Sequence, residues 1–485
     1  LHSGARYAVT DQESATECIK ENMILKKIAR HCVDDTSGLF ITLPEDDLAY
    51  QDTFVKACLA AGINAEVIDP EEAKRMEPSV NPTLIGAVKV PDGSVDPFRL
   101  CASNVFDAKI HGAKVLVYSD VIEFIKEQDT IKGVKVLDHH TGIVTDYYAP
   151  VTVNAGGIWG HHIAQMAGAN ISMFPAKGAL LIFAHRVNSV VINRCRKPAN
   201  ADILVPGDTV CVIGTTSTRV PYEECDHLKV TPDEVDLLLT EGAKLAPCLA
   251  ETRVLRAYAG VRPLVSADND PSGRNISRGI VCLDHESRDG IKGFISITGG
   301  KLMTYRLMGE MAADAVCKKL GRDAKCVTAD TPLPGSEPGG IEEISKKIWE
   351  VPTMVQKASV GRFGTQAAKL DFDGDVKGSL VCECEEVSVS EVDSAIENLE
   401  VNNLVDLRRR TRFGMGTCQG ELCACRAAGR LAKARKCTSK ARADLKDFMN
   451  ERWKGMYPVA WGETLRESAY TQWVYSEVMG LGEEI

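Results

Sequence analysis

No apolar run in the chain approaches the ~18 residues that a membrane-spanning helix needs. The longest, around 178–184, has the length of a single strand. Membrane contact is therefore expected to be peripheral. Positive charge is not in excess: the net charge is −10, which argues against a general nucleic-acid binder. Aromatic residues are scarce, at 6%, and three of the five tryptophans (Trp453, Trp461, Trp473) crowd into the tail. There is no internal repeat or low-complexity tract. No G-x-G-x-x-G follows a strand-like stretch; Gly414-Met415-Gly416-Thr417-Cys418-Gln419-Gly420 is a near miss with the wrong spacing. The first residues, L-H-S-G-A-R-Y-A, do not read as a start signal, transit peptide or tag, and a preceding N-terminal piece is expected. The length, 485 residues, calls for two or three domains.

Cysteine, by contrast, is abundant. Seventeen cysteines are an odd number in a long chain, which is not the pattern of a secreted disulfide framework. A reducing cytosol is expected to keep them as thiols. Five of them concentrate in V-C-E-C-E (Cys382, Cys384) and M-G-T-C-Q-G-E-L-C-A-C (Cys418, Cys423, Cys425), with a helix-like segment between. Converging thiolates hold either an iron–sulfur cluster or a structural zinc ion. C-x-C followed by C-x4-C is an unusual zinc spacing, so the cluster is the favoured reading, with zinc and unliganded thiols as alternatives. The run Arg408-Arg409-Arg410 and Arg412 reads as a solvated helix face; raising the potential of a nearby centre or docking an acidic partner is the sharper alternative. The pairs His139-His140 and His161-His162 lack companions at metal spacing. Asp371–Asp375 has a faint calcium-loop pattern, but its twelfth position is Cys382, which excludes that reading.

Apolar periodicity predicts helices over 12–33, 46–61, 70–76, 98–111 and 232–246, and strands over 38–43, 65–68, 87–90, 114–118 and 132–137. Residues 171–220 and 257–264 are rich in strands and turns, and 268–277 is a polar loop. Two segments share one device, a strand running into Gly-Gly and then a helix: 147–160, with Val151 and Val153 as a buried strand before Gly156-Gly157, and 293–306, before Gly299-Gly300. Such a turn lets backbone N–H groups approach a phosphate or a ring system; a purely structural tight turn is the competing reading. Arg6, Arg262, Arg278 and Lys301 lie beside such turns or strands and suit an anion clamp, although each alone reads more simply as a surface ion pair. A Pro/Gly linker covers 328–340, and a poorly patterned stretch leads on to the cysteines. The three tail tryptophans are expected to fill a local core, with a partner surface as the alternative. The element order is mixed α/β.

Taken together, L-H-S-G-A-R-Y, I-G-A-V-K-V-P-D-G-S-V-D-P-F-R-L, V-N-A-G-G-I-W-G, M-F-P-A-K-G, I-N-R-C-R-K-P, D-I-L-V-P-G-D-T, G-V-R-P-L, T-G-G-K-L-M-T-Y-R and G-M-G-T-C-Q-G-E-L-C-A-C-R carry a resemblance along essentially the whole chain. It resembles the large, FAD-dependent A subunits of bacterial anaerobic glycerol-3-phosphate dehydrogenase. That family's N-terminal strand–G-x-G-x-x-G–helix is not in this sequence, a difference of roughly fifty residues, the length of a βαβ start. The resemblance implies an α/β (α+β) fold of the D-amino-acid-oxidase/glutathione-reductase type, with a Rossmann-like FAD part, a mixed-sheet substrate part and a small C-terminal helical [2Fe–2S] domain. It divides the chain into 1–327 (flavoprotein), 328–378 (connector), 379–435 (bacterioferritin-associated-ferredoxin-like) and 436–485 (tail, with partner contact as an option).

The same resemblance implies the site residues. Asn154, Ala155, Gly156, Gly157 and Trp159 fall on one FAD turn, and Gly299, Gly300, Lys301, Leu302, Met303 and Thr304 on the turn under the flavin ring, where backbone N–H groups of 301–304 would stabilise negative charge. Arg6, Tyr7, Arg262, Arg278 and Lys301 fall where substrate phosphate and hydroxyls are held, with Lys301 and Tyr7 as candidates for the base. Leu180 stands near the place where aerobic relatives often carry histidine. Cys382, Cys384, Cys418 and Cys423 are the implied cluster ligands, leaving Cys425 as a spare. The implied reaction is oxidation of sn-glycerol 3-phosphate to dihydroxyacetone phosphate. Electrons pass through the cluster to partner subunits B and C and a quinone, at the cytoplasmic face of the cell membrane. An additional option is FMN on a partner subunit. The rival readings are a related hydroxyacid or amino-acid dehydrogenase, and an electron-transfer or cluster-carrier protein without its own catalysis.

Overall fold

A computed structural model describes residues 1–265, 279–374 and 376–482. Its largest sheet has nine strands. In spatial order they run Thr218–Arg219, Met173–Phe183, Cys211–Gly214, Ile203–Pro206, Val191–Arg194, Gly38–Thr42, Gly86–Val90 and Glu66–Ile68, and Val254–Val265 also pairs with Met173–Phe183. Pairing is antiparallel except between Val191–Arg194 and Gly38–Thr42, which run parallel. The sheet is thus mixed. The helix Pro232–Leu245 covers it, and begins where Thr231 and Glu234 cap each other's backbone N–H. Its Val235, Leu238 and Leu245 meet Leu39, Ile41, Leu181, Phe183, Ile192 and Ile213 in the main core. Each such side chain contributes about 1.5–3 kcal/mol on full burial.

A second, three-stranded sheet orders Ile280–Asp284, Phe294–Gly299 and Thr152–Asn154. Phe294–Gly299 and Thr152–Asn154 are parallel, with Val153 opposite Ile295 and Asn154 opposite Ser296. An antiparallel meander, Ser119–Glu127, Thr130–Asp138 and Val144–Tyr148, lies before them in the chain. The C-terminal region has its own core, in which Val381, Val387, Val392, Leu404, Leu407, Phe413, Leu431 and Phe448 are buried together. The helices Val389–Asn398, Leu404–Thr411, Ala424–Arg435 and Ala441–Met456 build it around a hairpin of Leu380–Cys382 and Val387–Ser388.

Several expectations change. The helix read over 12–33 ends at Ile28, and a 3-10 turn, Arg30–Cys32, follows, because the chain must bend into the short strand Val33–Asp34. The strand expected over 114–118 is not formed; the strand is Ser119–Glu127, set by its register with Thr130–Asp138. Val153 is exposed rather than buried, since Thr152–Asn154 pairs on one side only among the described residues. The stretch before the cysteines holds the helices Ile341–Ile348 and Met354–Phe363, the latter started by a Thr353/Gln356 capping box. The tail tryptophans do not fill a core: Trp453, Trp461 and Trp473 are 42%, 45% and 55% exposed. Core positions beside them are taken by Phe448, Met456 and Tyr475. The polar loop 268–277 lies outside the described residues.

The arginine run is a solvated face only in part, at Arg409. Arg408 is buried, and its Nη2 donates to Gln419 Oε1 at 3.0 Å. Arg412, in the left-handed region at φ 68°, forms ion pairs with Asp96 (2.8 Å), Asp208 (3.1 Å) and Glu385 (2.8 Å). Arg362 makes a bidentate pair with buried Glu391 (2.7 and 2.9 Å) and donates to the carbonyls of Glu385 and Glu386, both at 2.8 Å. These contacts seat the cysteine hairpin on the rest of the molecule.

Candidate functional site

Phe294–Gly299 and Thr152–Asn154 are adjacent and parallel, so the two Gly-Gly turns leave the sheet at the same end. In open α/β sheets that end is where cofactors bind. Gly157 sits at φ 57° with open space where a side chain would stand, and begins a 3-10 turn, Gly157–Trp159, that leads into the helix Gly160–Met166. The other glycines are needed for packing. A Cβ on Gly156 would meet Ile163 Cδ1 at 2.5 Å, one on Gly299 the Gly279 carbonyl at 2.4 Å, and one on Gly300 Met308 Sδ at 2.7 Å. Asn154 is buried and holds its turn from within: Oδ1 accepts from Gly156 N–H (3.1 Å), and Nδ2 donates to Gly160 O (2.9 Å) and Ser296 Oγ (3.1 Å). Ala155 and Trp159 are exposed beside it.

On the second turn Lys301 N–H donates to Thr304 Oγ1 (2.9 Å) and Thr304 N–H to Lys301 O (3.0 Å). The N–H groups of Leu302 and Met303 open the 3-10 turn Leu302–Thr304, and helix-start N–H groups have no partner within their own helix. The turn therefore offers two backbone donors rather than four. Met303 anchors it in the core, while Leu302 is exposed.

Lys301 Nζ lies 4.8 Å from the centre of the Tyr7 ring, a cation–π contact. The buried Cys18 thiol beside it is pushed up to about 11 by burial, against the pull of Lys301. Arg6 pairs with Asp202 at 3.6 Å. Ala201 N–H donates to Thr215 O (3.2 Å), and Thr215 Oγ1 accepts from Arg262 Nη2, so Arg6 and Arg262 flank the same strand ends. Arg262 also reaches Thr216 O and Lys177 O. Gly178 makes this possible, because a Cβ there would stand 2.5 Å from Arg262 Nη2. Lys177 itself is buried against Glu234 (2.8 Å). Leu180 packs on Gly214. Arg278 lies outside the described residues. The structure thus brings Tyr7 and Lys301 together, and Arg6 with Arg262.

One group escaped sequence reasoning. Buried His285 contacts Ser296 Oγ (2.8 Å) and Asp289 Oδ2 (2.6 Å) and stacks on Phe294, extending the Asn154–Ser296 bond into a polar network beneath both turns. In L-D-H-E-S-R-D only Asp289, four residues on along the same helix, is a local partner; Ser296 and Phe294 lie on a different strand, so nothing in the stretch marks the network.

The thiols converge as the spacing suggested. Hydrogen bonds run as a string from Cys382 to Cys423 to Cys418 to Cys384. Thiol donors Cys384 and Cys423, with backbone N–H of Leu422 and Gly420, hold the Cys418 sulfur down to about 2. The Cys423 thiol, donating to both neighbours, is pushed far up. Backbone N–H groups of Gly414 and Glu385 likewise serve Cys382. Backbone donors to cysteine sulfur suit a thiolate-ligated cluster and tune its potential. Cys425 stands apart, its Sγ 3.6 Å from Met479 Sδ. The loop glycines explain the false dinucleotide motif. A Cβ on Gly416 would stand 2.5 Å from Cys384 Cβ, and one on Gly420 2.6 Å from the Phe448 ring. They let the two cysteine segments touch. Gln419 Oε1 accepts from buried Arg408 and Arg256 (3.4 Å), and Arg253 donates to Thr417 O (2.9 Å), tying the loop to the strand Val254–Val265.

The fold and the two sites define a flavin-type oxidoreductase body joined to a cysteine-ligated electron-transfer domain. Residues 1–306 match the FAD dependent oxidoreductase family, and residues 380–431 the BFD-like [2Fe-2S] binding domain. Across its whole length the chain is 60% identical to the A subunit of the anaerobic glycerol-3-phosphate dehydrogenase of Haemophilus influenzae (86% of that protein) and 61% identical to that of Escherichia coli K12 (89% of it). It belongs to the family of anaerobic glycerol-3-phosphate dehydrogenase A subunits. A glycerol-3-phosphate dehydrogenase from Bacillus halodurans, solved with FAD, shares the fold at a TM-score of 0.67 and 20% identity, covering 95% of this chain and 94% of the other.

Gly416→Val places side-chain atoms against Cys384 Cβ, an overpacking that costs about 1–3 kcal/mol at the loop. Iron and acid-labile sulfide are expected to fall severalfold while far-UV circular dichroism holds. Iron at the wild-type level in the variant would show that the loop does not depend on this close approach.

Proposed function

We propose that the chain oxidises sn-glycerol 3-phosphate to dihydroxyacetone phosphate and delivers the electrons, through partner subunits B and C, to quinone at the cytoplasmic face of the membrane. The observation that carries this reading is the 60–61% identity, over the whole chain, to A subunits of that dehydrogenase. No helix among the described residues is long and apolar enough to cross a membrane, so the reading assigns membrane attachment to the complex.

FAD supplies hydride acceptance, and a [2Fe–2S] centre single-electron transfer. The chain's own residues do the binding and positioning. The turns at Asn154–Trp159 and Gly299–Thr304 would hold the flavin, the latter presenting the N–H groups of Leu302 and Met303. Arg6 and Arg262, which flank the same strand ends, are proposed to bind the substrate phosphate and hydroxyls, and Arg278 completes the proposed substrate set. A guanidinium fork matches phosphate geometry and fixes the substrate carbon against the ring. Either Lys301 or Tyr7, whose side chains lie 4.8 Å apart, is proposed to take the hydroxyl proton. Cys382, Cys384, Cys418 and Cys423 are the proposed cluster ligands.

Glycerol 3-phosphate added without oxygen is expected to bleach the flavin of the FAD-loaded protein, while hydroxyacids and amino acids do not; no bleaching with glycerol 3-phosphate would sink the substrate assignment. In steady-state assays Arg262→Ala should raise KM by about ten- to a hundredfold with kcat much less affected, as for loss of a charge-assisted hydrogen bond. An unchanged KM would remove Arg262 from the phosphate site. For the thiols, Cys418→Ser or Cys423→Ser should remove iron and sulfide, and Cys425→Ser should not. Equal loss in all three would overturn the ligand choice.

A further inference from the structure

The tail carries an apolar surface that the reaction does not use. Trp461, the extended residue that precedes the helix Gly462–Trp473, and Leu465 and Trp473 on that helix are exposed and follow one another at steps of four and eight residues, while Thr464, Ser468 and Thr471 point inward. The π-turn Val474–Val478 and Met479 continue the stripe, with Val478 and Met479 exposed. This end folds back onto the cysteine loop: Tyr475 Oη donates to Glu421 O, and Cys425 Sγ meets Met479 Sδ. Leu422, between Cys418 and Cys423, is 60% exposed at the same place. Large exposed aromatics in a contiguous row mark interaction surfaces, and tryptophan and tyrosine are the commonest energetic anchors of protein interfaces.

A basic ridge borders the stripe. Residues 424–443 contain seven Lys and Arg and no Asp or Glu, in a chain whose net charge is −10. Arg426, Arg430 and Arg435 are paired with Glu383, Asp393 and Asp444. Lys433, Lys436 and Lys440 are exposed and form no ion pair among the described residues. Arg442 on the same ridge donates to Gly480 O, which places it at the end of the stripe.

We propose that this surface is the docking face for the protein that takes electrons from the cysteine centre, a partner with an apolar patch ringed by acidic side chains. The inference rests on the electron-transfer reading of the cysteine domain. Its position carries it furthest: the end of the apolar row touches the loop that bears Cys418 and Cys423, through Tyr475 on Glu421 O and Met479 on Cys425, so a partner seated there lies beside that loop. The charge pattern selects the partner's rim, since opposite potentials steer association and fix orientation. It also disfavours a lipid bilayer. A helix that lies on an anionic membrane carries Lys and Arg along its polar face, whereas Gly462–Trp473 carries Glu463 and Glu467 against one cation, Arg466.

The test uses the full-length protein co-expressed with the other subunits of its complex, as wild type and as Trp461→Ser, Trp473→Ser and the double variant. Both tryptophans are half-exposed, so the fold and the cluster are expected to persist. Flavin bleaching by glycerol 3-phosphate and iron content should match wild type. Association with the other subunits, followed by sedimentation velocity, should weaken on the order of tenfold or more per anchor lost, and rising salt should weaken it further. Variants that assemble like wild type would overturn the proposal. So would flotation of the wild-type chain alone, but not the double variant, with phosphatidylglycerol vesicles while assembly is intact; that outcome assigns the stripe to lipid. Failure of the wild type to bleach would count against the substrate reading alone, because the association readout does not depend on it.

Discussion

One guanidinium, that of Arg412, joins the parts of this molecule. It reaches Asp96, Asp208 and Glu385 at once. Asp96 is also the cap of the helix Pro97–Ile110, accepting from Phe98 N–H and Arg99 N–H. Glu385 follows the C-x-C pair of the cysteine hairpin, and Asp208 lies in the turn between two strands of the large sheet. Burial pushes the Asp208 carboxyl up, but Arg99 and Arg412 together hold it below the usual carboxylate range. A carboxylate held low contributes stability above its unfolded pKa and loses it as pH falls through the folded value. Removing Arg412 would leave the Asp96 and Glu385 carboxylates, both buried, without this partner, whereas the Asp208 side chain is 41% exposed and its pair is weakened by solvent screening.

The other contacts between the cysteine domain and the flavoprotein body repeat the theme. Arg362 spans Glu391 and two carbonyls of the hairpin. Gln419 gathers Arg408 and Arg256, and Thr417 bonds Ala184 O (3.0 Å). Apolar packing closes the seam, with Val459 of the tail buried in the main core of the large sheet. A polar seam of this kind fixes one orientation, which a centre that must receive electrons from a neighbouring site requires.

Much of this was legible in the sequence, and the exceptions share a cause. Strand–Gly-Gly–helix patterns found both turns, because a glycine at positive φ leaves a local mark; which glycine faces open space and which is fixed by packing depended on Ile163, Gly279 and Met308, distant neighbours that no local pattern reveals. The cysteine spacing marked five candidate thiols in two clusters, and the resemblance chose four of them and set Cys425 aside. Arg408 and Arg412 read as solvent-facing because charge runs usually are; their partners lie on other elements. His285 was invisible because Ser296 and Phe294, unlike Asp289, lie on another element. The tryptophans were expected inside, since large aromatics bury the most area, yet Phe448 and Tyr475 occupy those core positions and leave the tryptophans outside. Local chemistry is written in the sequence, whereas tertiary partners are not.

The central claim is that the cysteine centre is held on the flavoprotein body as part of one electron path. The most direct measurement is anaerobic reduction by glycerol 3-phosphate of protein carrying both FAD and cluster, with the cluster signal followed by freeze-quench electron paramagnetic resonance over a range of protein concentrations. The cluster is expected to become reduced after the flavin bleaches, with a rate constant independent of protein concentration. A rate that scales with protein concentration, or a cluster that stays oxidised beside a bleached flavin, would contradict it.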